Sequence, residues 1–199
     1  MNLSTAARKI LKAAHIAAAG VILGGVLALL GLRAMKMTER WWPTGAPILD
    51  GASVFLFDHV IQIGFYCVLL TAFLMSLYTK WGFFQYWWVV GKWILSVLLL
   101  GMAVYLLAPA LSGLAAFSDT LEPGNVSGWD GYARFETREL AALSVALVLV
   151  ALLFLLAVLK PWRMRKGVKP FSAKSLFRVR LIVSAALLIV IVIIVLGNA

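Results

Sequence analysis

The stretch Ala141–Leu159, AALSVALVLVALLFLLAVL, decides what kind of protein this is. Its one polar side chain is Ser144. At about 1.5 Å per residue, a helix of this length covers the roughly 30 Å hydrocarbon core of a bilayer. No water is present there to satisfy a stray N–H or C=O, so such a run must be helical. Four further runs repeat the pattern, at Ala13–Leu32, Val54–Tyr78, Val89–Leu107 and Leu181–Leu196. The sequence therefore predicts an all-α, polytopic transmembrane helical bundle of five spans, forming a single domain over residues 1–199.

Composition excludes the soluble alternative. The chain is 63% hydrophobic, against about 45–50% for soluble domains, and its mean hydropathy is +0.99. A net charge of +10 would otherwise invite a nucleic-acid reading, but the placement of the charge argues against one. Lys160, Arg163, Arg165, Lys166, Lys169, Lys174, Arg178 and Arg180 form a block without an acid between two apolar runs. Such a block marks a cytoplasmic loop, here 160–180, and offers anionic lipid headgroups a binding surface. Arg8, Lys9 and Lys12 ahead of the first run, and Lys80 and Lys92 around the turn after the second, carry the same sign. The loop 112–140 holds Asp119, Glu122, Asp130, Glu136 and Glu139 against Arg134 and Arg138, and is predicted to lie outside. The expectation is a multi-pass protein of the bacterial inner membrane with a cytoplasmic N-terminus and an outer C-terminus. Arg33, Lys36 and Arg40 in the first outer loop run mildly against it. The first run is too long for a signal-peptide core and lacks a clean small-x-small site after it, so it is predicted to be retained.

Three local patterns bear on packing. Gly20 and Gly24 form a GxxxG pair, which predicts a seam of close helix approach. Trp81, Tyr86, Trp87, Trp88 and Trp93 crowd the turn between the second and third runs, as interfacial aromatic rings do. The single cysteine, Cys67, provides no disulfide framework.

Ionisable groups within spans are costly and so mark candidate sites. Here they are His15, Asp58, His59 and Lys92, with Gln62 as a neutral companion. The predicted topology puts His15, Met75 and Lys92 at one cytoplasmic level. An imidazole and a thioether can serve as axial ligands of haem iron, with a lysine to balance a propionate. Against this, methionine is commonly a filler of apolar gaps, and a boundary lysine commonly extends to water. Near the outer side, Asp58, His59 and Gln62 fall three and four residues apart and form a polar stripe, to which Arg33 is expected to supply an ion pair. His15 and His59 lie at different depths, which disfavours one haem held by both. Two histidines without converging carboxylates or thiols also make a poor bare-metal site.

Two resemblances arise from short motifs. Leu11-Lys-Ala-Ala-His15 and Trp88-Val-Val-Gly-Lys92 resemble the first helix and the W-x-x-x-K of the HemJ-type protoporphyrinogen oxidase family. That likeness covers the first half of the chain and implies haem binding, with His15 as ligand and Lys92 at the active site or a propionate. The outer loop after the first run, the acidic loop and the basic turn depart from that family. Thr79-Lys-Trp-Gly-Phe-Phe84, Trp88 to Lys92-Trp93, and Lys160-Pro-Trp162 are similar to a family of uncharacterised small bacterial membrane proteins. This second likeness reaches further along the chain and implies no activity.

These readings predict a membrane bundle that binds haem b or a related tetrapyrrole through His15. Met75 and Lys92 would assist, in electron transfer or tetrapyrrole oxidation with a quinone acceptor. The alternative is a non-enzymatic subunit or assembly factor of a larger membrane complex, contacting a membrane-protein partner. A small-solute transporter is the weakest of the three, since the chain shows no internal repeat and few pore-lining polar residues.

Overall fold

A computed structural model describes residues 4–38, 45–79, 82–118 and 126–160, without the side chains of 126–129. Among these residues four long helices carry the architecture: α1 (Thr5–Lys36), α2 (Ala46–Tyr78), α3 (Trp87–Ser118) and α4 (Val126–Leu159). Each is long and apolar enough to cross a membrane. The fifth expected run, Leu181–Leu196, and residues 161–180 of the basic loop lie outside the described residues.

The helices are longer than the apolar runs that announced them. α2 begins at Ala46 rather than Val54, and α3 continues to Ser118 rather than Leu107. α4 starts at Val126, so most of the expected outer loop 112–140 is helical. Charge there does not mark solvent, because two of the acids, Glu136 and Glu139, are paired inside the bundle. Local chemistry sets some of the ends. The Ser4 hydroxyl accepts from the Ala7 N–H at 3.2 Å and caps α1. Pro47 sits in the first turn of α2, where its missing N–H costs nothing.

Two of the helices contain a π-turn. In α3 it spans Ala103–Leu107, where the Ala108 N–H reaches back to the Ala103 carbonyl. Pro109 follows at once; it has no N–H to give Tyr105, and its ring crowds that carbonyl, so the helix widens there. The π-turn of α2, Phe57–Ile61, has no such proline, and nothing in the local sequence accounts for it.

The helices run alternately up and down and pack α1 on α2, α3 on α4, and α4 back on α1, with the first part of α2 on the last part of α3. α1 and α2 are in tight contact at Gly25 and Gly64. A Cβ on Gly25 would fall 2.4 Å from Ile61 Cγ1, and one on Gly64 would fall 3.0 Å from Val21 Cγ1. The expected glycine pair lies away from this contact. Gly20 and Gly24 are exposed and would meet nothing within 4 Å, because the side of α1 that faces α2 is the one bearing Ile22, Gly25 and Leu29. Val26, Leu29, Leu111, Leu143 and Ala146 form the dry centre. Outward, the helices stay apolar: Val97, Val148 and Leu155 are all more than half exposed. A bundle that is greasy on both faces belongs in hydrocarbon.

Candidate functional site

Polar groups gather at the two ends of the bundle. At one end, the second half of α2 and the first half of α3 do not pack along their length. They are joined near the turn by Phe83, whose ring lies 5.5 Å from that of Phe73 on α2 and 5.9 Å from that of Trp93 on α3. Above this aromatic bridge lies a cavity of about 490 Å³, walled by all four helices. It has the size of a small-molecule or cofactor pocket. Its body is apolar, with Ile22, Phe65, Val68, Leu99 and Phe154 among its walls. Its polar groups are Lys12, His15, Ser76, Lys92, Ser96 and Lys160, with the indole rings of Trp88 and Trp93. No carboxylate lines it. His15, Met75 and Lys92, separated by up to 77 positions in sequence, all line this one space.

His15 is held in a defined state. Its Nδ1 lies 2.9 Å from Thr71 Oγ1. The Thr71 hydroxyl proton is already directed at the Cys67 and Val68 carbonyls, at 2.7 and 3.0 Å. A hydroxyl has one proton, so the bond to His15 requires the imidazole to donate from Nδ1 and the threonine oxygen to accept. The remaining nitrogen, Nε2, keeps a lone pair. This is how metal-ligating histidines are prepared, with the far N–H engaged and the near nitrogen left basic. Met75 lies one turn beyond Thr71 on α2, so it shares the wall on which His15 leans. Lys92 enters from α3.

The opposite end is filled rather than hollow. Lys36 donates to Asp50 Oδ1 at 2.7 Å, with both side chains only 2% exposed. The Tyr132 hydroxyl donates to the other carboxylate oxygen, Asp50 Oδ2, at 2.7 Å. Arg33 Nη1 donates to Glu139 Oε2 at 2.8 Å and lies 3.8 Å from Glu136. Lys36 also sits 3.6 Å from Glu136 and 5.2 Å from the centre of the Tyr132 ring. Charges from α1, α2 and α4 thus satisfy one another in a dry site, leaving Arg33 Nε buried without an acceptor.

Here the structure corrects the expected polar stripe. Arg33 is taken by Glu139 and Glu136 and not by Asp58. Asp58 and His59 fall in the π-turn of α2 and face out of the bundle, while Gln62 is half-buried. Three members of the ion-pair cluster, Tyr132, Glu136 and Glu139, were assigned to a loop, and Asp50 lay ahead of the expected start of α2. One signal could have found the charged members: Asp50, Glu136 and Glu139 flank apolar runs within a turn or two, and the basic pair Arg33 and Lys36 ends another. Lys12 and Lys160, whose charge marks topology in the sequence, also line the cavity.

Among the described residues, no group of three or more His, Cys, Asp or Glu comes together to hold a bare metal ion. In comparisons with protein-family models, with curated proteins and with solved structures, nothing matches this chain.

Proposed function

We propose that the protein is a bundle of the bacterial inner membrane whose cavity holds an amphipathic, anionic planar cofactor, haem b or a related tetrapyrrole. The observation that carries this reading is the composition of one space: an apolar body, lysines at its rim, no carboxylate, and a histidine prepared at Nδ1. A tetrapyrrole brings four nitrogen ligands of its own and needs one from the protein, so the shortage of other metal-binding side chains is no obstacle. His15 Nε2 would hold the iron of such a group. Lys92, with Lys12 and Lys160, neutralises the propionates. Trp88 and Trp93 offer flat apolar surface.

The residues present fit such a group with one adjustment. α1 and α2 touch at the level of His15 through the bond to Thr71. A macrocycle sandwiched between His15 and Met75 would need those two helices apart, so Met75 serves as a polarisable part of the wall. When bound, the cofactor would supply one-electron chemistry, for electron transfer or tetrapyrrole oxidation, with a quinone as the acceptor class. This chain's own part is to ligate, to orient and to exclude water. The cavity end corresponds to the cytoplasmic side in this reading, because α1 begins there with Arg8, Lys9 and Lys12, and Lys160 lines the same space.

The test is the absorption spectrum of detergent-purified protein from haem-replete cells, oxidised and then reduced. Sharp reduced bands are expected, lost in His15→Ala while the protein still inserts and purifies. A colourless wild type, or a His15→Ala variant with an unchanged spectrum, sinks the proposal. The reading as a subunit of a larger assembly draws on the outward-facing polar pair of α2.

A further inference from the structure

Asp58 and His59 are exposed, yet their place along the bundle is apolar. The contacts between α1 and α2 give the level. Lys36 meets Asp50, Gly25 faces Ile61, Val21 faces Gly64 and His15 meets Thr71. On this register Asp58 stands opposite Ala28, about 6 Å inside the end of the apolar run Ala13–Leu32. It is also five residues deeper than the level of Arg33, where the buried ion pairs lie. Ionisable side chains inside a membrane almost always face the bundle interior or a polar partner. These two face outward. Asp58 has no hydrogen-bond or ion-pair partner among the described residues, and the His59 ring is stacked on Phe55 with centroids 4.5 Å apart. His59 Nδ1 donates to the Phe55 carbonyl at 3.2 Å, which commits that nitrogen and directs any further bond to Nε2.

We propose that this face of α2 is the interface of a homodimer in which Asp58 and His59 of one copy pair with His59 and Asp58 of the second. Two copies with the same orientation in a membrane are related by a twofold axis along its normal, and such an interface is self-complementary. Adjacent residues of opposite character at nearly one depth meet that requirement, since each copy brings both an acceptor carboxylate and an imidazole. One proton is shared in each pair, between the carboxylate and Nε2. The rest of the stripe suits a second helix: Phe55, Ile63 and Leu70 are exposed above and below, and Cys67 is exposed between the last two. The π-turn Phe57–Ile61 presents both residues outward. The apolar run Leu181–Leu196 of the same chain is a poor complement, because Ser184 is its only polar side chain.

Cys67 is the chain's sole cysteine and makes the test direct. The full-length protein in native-lipid vesicles is treated with a thiol oxidant or a short bis-maleimide. Equivalent positions on a symmetric parallel helix pair approach each other, so a covalent dimer of twice 21.7 kDa is expected. A control with Cys67→Ser and Val145→Cys, which places the thiol on an exposed site of α4, should give no dimer. Asp58→Asn should weaken association on the order of tenfold. Exchanging the pair, Asp58→His with His59→Asp, should restore it, which separates loss of the contact from loss of the fold. A monomer without cross-link overturns the proposal. So does a dimer indifferent to Asp58→Asn, equal cross-linking from Val145→Cys, or Cys67 captured by a protein of another mass.

Discussion

The two ends of this bundle use charge in opposite ways. At the end where Lys36 meets Asp50, both inward-facing cations, Lys36 and Arg33, have a carboxylate within 4 Å, and the Lys36, Asp50 and Glu139 side chains are almost wholly buried. At the end where Lys12, His15, Lys92 and Lys160 gather, positive groups surround a cavity of about 490 Å³ that no carboxylate lines. The first is a closed set of opposite charges, and the second gathers charges of one sign around a hole. The first end ties α1, α2 and α4 together, and the second is the site of the proposed cofactor.

This contrast can be broken by mutation. The largest effect is expected from Lys36→Met or Asp50→Leu alone, each stranding a buried charge at a cost of about 3–5 kcal/mol. The double variant should recover most of that, since well-packed apolar side chains replace buried ion pairs at little cost. Unfolding curves in mixed micelles measure both, and additive losses in the double variant would show that the pair is not a unit. Next comes the α1–α2 contact that connects the ends. Gly25→Ala forces Ile61 aside and should cost about 1–3 kcal/mol, whereas Gly24→Ala should be neutral. Equal effects would return the helix seam to Gly20 and Gly24. Tyr132→Phe removes one of the two hydrogen bonds on Asp50 and should cost about 1–2 kcal/mol. The smallest stability change, within about 0.5 kcal/mol, is expected for Lys92→Gln at the cavity end, where no ion pair is lost. If that variant instead unfolds as readily as Asp50→Leu, the two ends are structural alike, and the cavity reading fails with the comparison.

Much of the fold was legible in the sequence because the bilayer demands it. Apolar runs of about twenty residues have one acceptable conformation there, so four helices could be placed from Ala13–Leu32, Val54–Tyr78, Val89–Leu107 and Ala141–Leu159 without reference to packing. Their ends were misjudged for the same reason. Asp130, Glu136 and Glu139 read as loop residues when charge is scored alone, and only the pairing of Glu136 and Glu139 with Arg33 and Lys36 explains why helix continues past them. The candidate site was half legible: His15, Met75 and Lys92 could be assigned one level because depth follows from position along a span.

What the sequence by itself determined is the helical class and the apolar girth of the spans. Length and hydropathy answer to the solvent, and the solvent here is a slab of hydrocarbon. Rotation about each helix axis was decided only by tertiary packing, since an all-round apolar helix carries no stripe to orient it. That is why Gly25 and not Gly24 became the contact, why Arg33 chose Glu139 over Asp58, and why Asp58 and His59 turned outward while His15 and Lys92 turned in to share a cavity.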